Sequence, residues 1–445
     1  MPKFCIIGAG ITGLAKAWRL HQEGHEVKVL ESSAKVGGSI CSYRQDSYLC
    51  EEGPNSIQIN SHEIEAFFQS VPGLKEAMIE AQPEAKKRFI VRDGQLHAVP
   101  TSPLAVISSP IWSLRGKLSA LKEPFVKAAP SDAEQSVADF VRRRLGVELY
   151  KYAINPLIGG IYAGNPEKLS LRYAFPRLHE LEQMHGGLIR GAIAKKKEAK
   201  KADKPKVRKR IVTFKEGIDT LPRLITAALG NQVHTRTTIS SIRQKDQQWQ
   251  IIWKNEESRS ELFDQLILTI PAYALGQLPF EDSLSQRLSS LGTIHYPPVS
   301  VLSLGYGREQ VKHPLDGFGA LVPECEKRNI LGVLFPNSVF KGRAPEGSVL
   351  LTVFVGGTRN SALATEDTDA LYEIVSSDLE ALLGVDGAPE FIHHRHWPRA
   401  IPQYDIGYGE VLKKVGQIET DYRGLSLLGN YRTGISLTDC IKATR

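Results

Sequence analysis

The stretch FCIIGAGITGLAKAWRLHQEGHEVKVLESS, Phe4 to Ser33, decides the fold. Phe4 to Ile7 is an apolar run with strand character, Gly8, Gly10 and Gly13 follow as G-x-G-x-x-G, and Leu14 to Gln22 has helical spacing. In HEVKVLESS the apolar Val27, Val29 and Leu30 give a second strand that ends at Glu31, an acid about twenty residues past the glycines. The unit reads β-α-β. Gly8 permits a tight turn, Gly10 lets backbone approach a pyrophosphate, and Gly13 lets helix and strand pack closely. The helix N-terminus then faces the phosphates. Glu31 would accept hydrogen bonds from an adenosine ribose and disfavours a 2′-phosphate, which argues against NADP and leaves NAD and FAD open.

The next stretch narrows that choice. ESSAKVGGSICSY, Glu31 to Tyr43, places Gly37 and Gly38 just after the ribose acid, with Ser32 between, and EEGPNS, Glu51 to Ser56, adds another turn. An NAD-binding unit would continue into a helix and strand, whereas more small-residue backbone suits a longer ligand lying extended. That favours FAD. The competing reading is that these are ordinary turns.

At 445 residues the chain is long enough for two or three domains and a large core. The first strand begins almost at Met1, so the expectation is no signal or transit peptide, and no apolar run approaches a bilayer span. Cys5, Cys41, Cys50, Cys325 and Cys440 are scattered, without C-x-x-C, as expected of a reducing, cytoplasmic setting without disulfides or zinc. The net charge of +7 is concentrated in Lys195 to Arg210, with ten basic residues and two acids. Such a block is most simply a solvated, mobile loop. It lacks the aromatic residues that would stack on bases, so no nucleic-acid partner is expected, and attraction to anionic lipid ranks second.

Helical periodicity dominates from about Ser113 to Leu188, with Val137, Phe140, Val141, Leu145, Leu149 and Tyr152 on one face. Strand patterns return after the basic run: KRIVTFKEGIDTLPRLITAAL reads as strand, turn and helix, and QVHTRTTISSIRQKDQQWQIIWKN as strand and hairpin. FDQLILTIPAYAL reads as a buried strand and a proline-initiated helix. HHRH, His393 to His396, invites a metal reading, but neighbours on a strand alternate faces, and no metal is expected.

Nine segments in order resemble the oxygen-dependent protoporphyrinogen oxidases, FAD enzymes of the flavin amine oxidase superfamily. They are the Gly8 to Gly13 turn, Gly37-Gly38, EEGPNS, GIYAGNPEKLS (Gly160 to Ser170), VTFKEGIDTLP (Val212 to Pro222), GFGALVP (Gly317 to Pro323), VFVGG (Val353 to Gly357), WPRAIPQY (Trp397 to Tyr404) and GNYRTGISLTDCI (Gly429 to Ile441). The resemblance is nearest to the plastid and bacterial branch. It implies non-covalent FAD held by Gly8, Ala9, Gly10, Ile11, Thr12 and Gly13 at the pyrophosphate and by Glu31 at the ribose. Gly53, Pro54, Asn55 and Ser56 would run beside the flavin, and the Val233 backbone would meet the adenine. Trp397 and the segment from Asn430 through Ile435, Ser436 and Leu437 would lie near the isoalloxazine.

The same resemblance implies a porphyrinogen substrate, six electrons removed in three two-electron steps at flavin N5, and molecular oxygen reduced to hydrogen peroxide. Arg88 corresponds to the family's propionate-binding arginine. Leu321, Leu334 and Phe354 match residues that sandwich the macrocycle, and Gly160 matches a backbone position facing it. Ala163 departs from the pattern, standing where some relatives carry a second glycine. No catalytic base stands out.

The expected fold is α/β. A Rossmann-like FAD domain takes 1–84, 208–275 and 394–445, a mixed-sheet substrate domain takes 85–100 and 276–393, and a helical membrane-associating domain with the basic loop takes 101–207. The resemblance implies peripheral attachment to an anionic membrane surface and leaves a homodimer open. Coproporphyrinogen III is the nearest alternative substrate. An amine oxidase is a more distant enzyme reading, and a flavin-free carrier on this scaffold should have lost the phosphate glycines that are intact here.

Overall fold

A computed structural model of the chain describes residues 1–130, 133–201, 207–281 and 283–445. Its first sheet is parallel and five-stranded, in the order Val233–His234, Glu26–Leu30, Lys3–Ile7, Gln265–Leu268, Leu425–Leu427. Strands buried on both faces need apolar residues at every position, and successive side chains serve opposite sides. Ile6 packs with Leu14, Ile225 and Ile441 of the helices, while Cys5 and Ile7 join the cluster that holds Trp249 and Trp253. Those tryptophans come from a three-stranded antiparallel meander, Thr238–Lys245, Gln248–Lys254 and Ser258–Phe263. The expected hairpin thus has a third strand.

The first helix runs Ile11–Gln22, three residues earlier than its apolar spacing suggested, because Gly10 is its N-cap and Gly13 lies inside its first turn. Glycine disguised helical residues as loop.

A second sheet is mixed and seven-stranded, in the order Phe391–Trp397, Val299–Gly307, Ser348–Gly356, Ile330–Leu334, Gly319–Leu321, Phe89–Arg92, Gln95–Ala98. All its pairs are antiparallel except Gly319–Leu321 with Phe89–Arg92. The helix Thr368–Leu383 covers one face, burying Leu371, Val375 and Leu379 against Leu302, Leu304 and Val353. The strand carrying His393 to Trp397 belongs wholly to this sheet.

Between the sheets in sequence lies a helical segment that includes Leu114–Leu121, Val137–Leu145, Asn155–Tyr162, Pro176–His185 and Leu188–Lys201. The face expected to run from Val137 to Tyr152 is broken at Gly146, whose φ of +92° ends one helix, so Leu149 and Tyr152 belong to the next helical turns. The guanidinium of Arg144 is fully buried between the equally buried carboxylates of Glu123 and Glu182, at 2.7 and 2.6 Å. Glu123 also accepts from the amides of Leu188 and Ile189, which caps the last helix. The basic run begins on that helix at Lys195, not on a loop, while 202–206 lie outside the described residues. Among the described residues no helix is long and apolar enough to cross a membrane.

Candidate functional site

The glycine loop after the first strand has the geometry its spacing predicts. Gly8 has φ of +106° and donates to Leu30 O at 2.9 Å. A Cβ on Gly13 would lie 2.0 Å from Gly8 O, so strand and helix touch there with no room for a side chain. At Gly10 a Cβ would meet nothing within 4 Å. The helix that Gly10 begins has neither a side-chain cap nor an acid in its first turn, through Ile11, Thr12 and Gly13. A helix N-terminus without a cap is suited to an anion, and these residues fit a dinucleotide phosphate.

Gly37 and Gly38 fold over this loop at φ of +107° and +61°, with Gly37 N donating to Ala9 O at 2.8 Å. Glu31 lies beside the turn. One oxygen accepts from Ala9 N at 2.7 Å, and the other accepts from Ser33 N at 2.9 Å and Ser33 Oγ at 2.5 Å, with Ser32 Oγ at 3.4 Å. Val233 pairs with Val29 on the neighbouring strand, and Glu31 N donates to His234 O, so Val233 and Glu31 border one end of the sheet.

The loop Gly53 to Ser56 is tied down from two sides. A Cβ on Gly53 would lie 2.1 Å from Ser39 O, and Asn55 Nδ2 donates back to Gly53 O at 3.0 Å, with Pro54 between them. Trp397 Nε1 donates to Glu52 O at 2.6 Å, and the Arg395 guanidinium sits 4.3 Å from the Trp397 ring centroid. The C-terminal segment meets the same region. Tyr404 donates to Asn430 O and accepts from Gly434 N, and Ser436 Oγ caps the helix Leu437–Lys442 through Asp439 N.

A cavity of about 560 Å³ opens where these pieces converge. Ser56, Arg88, Ile161, Phe175, Arg177, Phe318, Tyr404 and the run Ile435 to Leu437 are in its wall. Five residues expected at the site therefore meet around one space: Ser56, Arg88, Ile435, Ser436 and Leu437. Leu334 instead lines a small adjoining cavity with Asn55, and Phe318 borders both. Gly160 and Leu321 touch each other, since a Cβ on Gly160 would lie 2.4 Å from Leu321 Cδ2. Phe354 packs with Trp397 against Ala163, Val299 and Leu331. Ala163 has φ of +49°, a region that glycine enters more easily, which gives a physical reason for a glycine there.

Ile161, Phe175, Arg177 and Phe318 escaped the sequence reading. Ile161 sits next to Gly160 and Phe318 three residues before Leu321, and only the fold brings them to the cavity. The carboxylate in the cavity wall is Asp439, which accepts from Ser436 Oγ at 2.5 Å. Burial raises the phenols of Tyr162 and Tyr404 far above their ordinary value, so both stay neutral. The histidines of HHRH split between faces: His393 Nε2 meets Glu52 Oε1 at 2.9 Å, while His394 and His396 both meet Ser300 Oγ.

The chain is similar to known proteins along most of its length. The profile of the flavin containing amine oxidoreductases matches residues 11–439. Protoporphyrinogen oxidase 2, chloroplastic/mitochondrial, of Arabidopsis thaliana is 33% identical over 98% of this chain and 91% of its own length. The mitochondrial protoporphyrinogen oxidase of Nicotiana tabacum is 34% identical over 98% and 92%. Coproporphyrinogen III oxidase of Bacillus subtilis (strain 168) is 27% identical over 98% and 95%. A crystal structure from Exiguobacterium sp. 255-15, given provisionally as a protoporphyrinogen oxidase, superposes with a TM-score of 0.79 over 100% of this chain and 97% of that one at 23% identity, a likeness of fold. The chain belongs to the flavin containing amine oxidoreductases, and within them to the family of the protoporphyrinogen and coproporphyrinogen oxidases.

Proposed function

We propose that this protein binds FAD non-covalently and oxidises protoporphyrinogen IX to protoporphyrin IX, with molecular oxygen as acceptor and hydrogen peroxide as product. The observation that carries the reading is the shared cavity, where a cation on the substrate sheet, Arg88, opens onto the C-terminal segment Ile435 to Leu437 and onto Ser56. The flavin would supply two-electron acceptance at a carbon centre, three times per macrocycle, and pass the electrons to oxygen.

The chain's own work is placement. The Gly8 to Gly13 loop and its uncapped helix would hold the pyrophosphate, with Gly37 and Gly38 above it. Glu31 would take the ribose by exchanging its present partner at Ala9 N. Main-chain amides from Ile435 to Leu437 would face the flavin pyrimidine. Arg88, stacked 5.1 Å from the Phe318 ring centroid, would fix one propionate and so orient the macrocycle. Gly160, Leu321, Leu334 and Phe354 would supply apolar contact from behind the wall of this cavity, Gly160 next to Ile161 and Leu334 in the small adjoining space.

Coproporphyrinogen III is the second reading, favoured by the likeness to the Bacillus subtilis enzyme. Anaerobic mixing of the yellow protein with each porphyrinogen tests both, because the preferred one should bleach the flavin absorbance fastest. Failure of both to bleach it would refute the proposal.

Peripheral membrane attachment belongs to the same reading. Leu114, Leu118 and Leu121, on one helix face, and Phe125 beyond it are between 59 and 84% exposed. Ile189 and Ile193 are exposed on the neighbouring helix that goes on into Lys195, Lys196 and Lys197. Exposed apolar side chains beside clustered lysines suit the surface of an anionic bilayer.

A further inference from the structure

The cavity carries a cation on each of two different walls. Arg88 precedes the strand Phe89–Arg92 of the mixed sheet, whereas Arg177 stands in the first turn of the helix Pro176–His185. Both are exposed, and among the described residues neither guanidinium forms an ion pair with a carboxylate. The arginines of the adjacent helix behave differently: Arg142, Arg143 and Arg144 are each paired, to Glu167, Glu182 and Glu123. Arg177 sits among the apolar Ile161, Phe175 and Leu178, and its helix starts without a side-chain cap, which adds positive potential at the same place. The one acid in the wall, Asp439, is already engaged by Ser436 Oγ. An unpaired planar fork beside apolar wall residues is suited to a carboxylate on a hydrophobic ligand.

We propose that Arg177 is a second carboxylate anchor, holding an acidic side arm on a different edge of the macrocycle from the arm held by Arg88. The proposal rests on the porphyrinogen reading and sharpens its substrate class. Protoporphyrinogen IX carries its two propionates on neighbouring pyrroles, whereas coproporphyrinogen III carries one on every pyrrole. A ring with an acid on every pyrrole can offer an arm to each wall in any orientation, whereas a two-acid ring does so only with its propionate edge between them, so a second anchor adds support to the second reading.

The test uses the flavin-loaded protein, wild type, Arg177→Ala and Arg177→Lys. Fluorescence titration with coproporphyrin III and with its tetramethyl ester reads recognition of the acids without turnover, and steady-state kinetics on both porphyrinogens reads selectivity. Arg177→Ala should weaken coproporphyrin III binding on the order of ten-fold, the loss of a charge-assisted hydrogen bond, and leave the ester unchanged. It should raise KM for coproporphyrinogen III more than it lowers kcat, and Arg177→Lys should restore part of the affinity. Equal binding of coproporphyrin III by wild type and Arg177→Ala would overturn the anchor. So would an equal loss for acid and ester, which would mean that Arg177 only shapes the wall. A wild-type protein that binds coproporphyrin III through Arg177 but oxidises no porphyrinogen would leave the anchor standing and refute the proposed activity instead.

Discussion

Trp397 donates its indole N–H to the main-chain oxygen of Glu52 at 2.6 Å, and four residues earlier on the same strand His393 meets the Glu52 carboxylate at 2.9 Å. One strand of the mixed sheet therefore grips, at two points, the residue before the Gly53 to Ser56 loop. Trp397→Phe removes the donor and leaves a carbonyl unpaired, at a cost of about 1 kcal/mol. We expect a lower Tm and a lower flavin content after gel filtration. Unchanged values for both would show that the loop holds its place without this bond.

The second contact makes a pH prediction. The hydrogen bond from His393, followed by the burial that opposes it and the nearby Arg395, holds the Glu52 carboxyl below its ordinary value, with Lys35 adding a weaker attraction. His393 is itself packed flat on Tyr43, with ring centroids 3.8 Å apart. A carboxylate whose folded pKa lies below its unfolded one contributes stability above the unfolded pKa of about 4.3 and loses it as pH falls through the folded value. The Tm of the wild type should fall from pH 5 to pH 3, and His393→Ala should show a shallower fall in that window. Parallel curves would remove Glu52 from the acid response.

Much of this site was legible because backbone chemistry writes itself into glycine. The β-α-β unit needed only Gly8, Gly10, Gly13 and Glu31 at their spacing. The same glycines hid the start of the helix, since Gly13 inside a first turn scores as loop, and Gly146 hid a helix end inside a continuous apolar pattern. Arg88 was reached only through the resemblance. Arg177 was not reached at all, because an exposed arginine after a proline looks like any helix start until the fold brings it to the cavity. Gly160 and Leu321 were named as facing the substrate, and their contact with each other depends on how helix and sheet meet, which no local pattern encodes.

Substitutions at Gly10 and Gly13 should separate folding from the proposed cofactor binding. Gly13→Ala puts a methyl 2.0 Å from Gly8 O and 2.6 Å from Thr269 Oγ1, and should cost about 3 kcal/mol or more. Gly10→Ala meets no protein atom within 4 Å, and its φ of −70° suits alanine. The Gly10→Ala protein should fold with an apo Tm close to that of the wild type and yet lose most of its flavin, read as the absorbance ratio of flavin to protein. Full flavin occupancy in Gly10→Ala would move the pyrophosphate away from this loop.

Arg88→Ala should lose a charge-assisted hydrogen bond worth about 1.5 to 3 kcal/mol, seen as a roughly ten-fold to hundred-fold rise in KM. Flavin content should not change, because Arg88 stands on the mixed sheet and not in the glycine loop. Wild-type kinetics in the variant would take Arg88 out of substrate recognition.

The proposed membrane attachment would divide into an apolar and an electrostatic part that salt can separate. The exposed Leu118, Leu121 and Phe125 sit on or next to the element from which Glu123 reaches the basic helix, accepting from Leu188 N and Ile189 N, so the two parts are held together. Each lysine near an anionic leaflet contributes about 1 kcal/mol, and screening contracts from about 10 Å at 0.1 M salt to about 3 Å at 1 M. Sedimentation with phosphatidylserine-containing vesicles should therefore weaken with salt for the wild type. Changing Lys195, Lys196 and Lys197 to Gln should lower binding at low salt and leave the high-salt value unaltered, whereas Leu121→Glu with Phe125→Glu should lower it at both. Equal binding of the lysine variant and wild type at low salt would return the basic run to a solvated surface. A glutamate variant that still binds in 1 M salt would place the apolar contact elsewhere on the molecule.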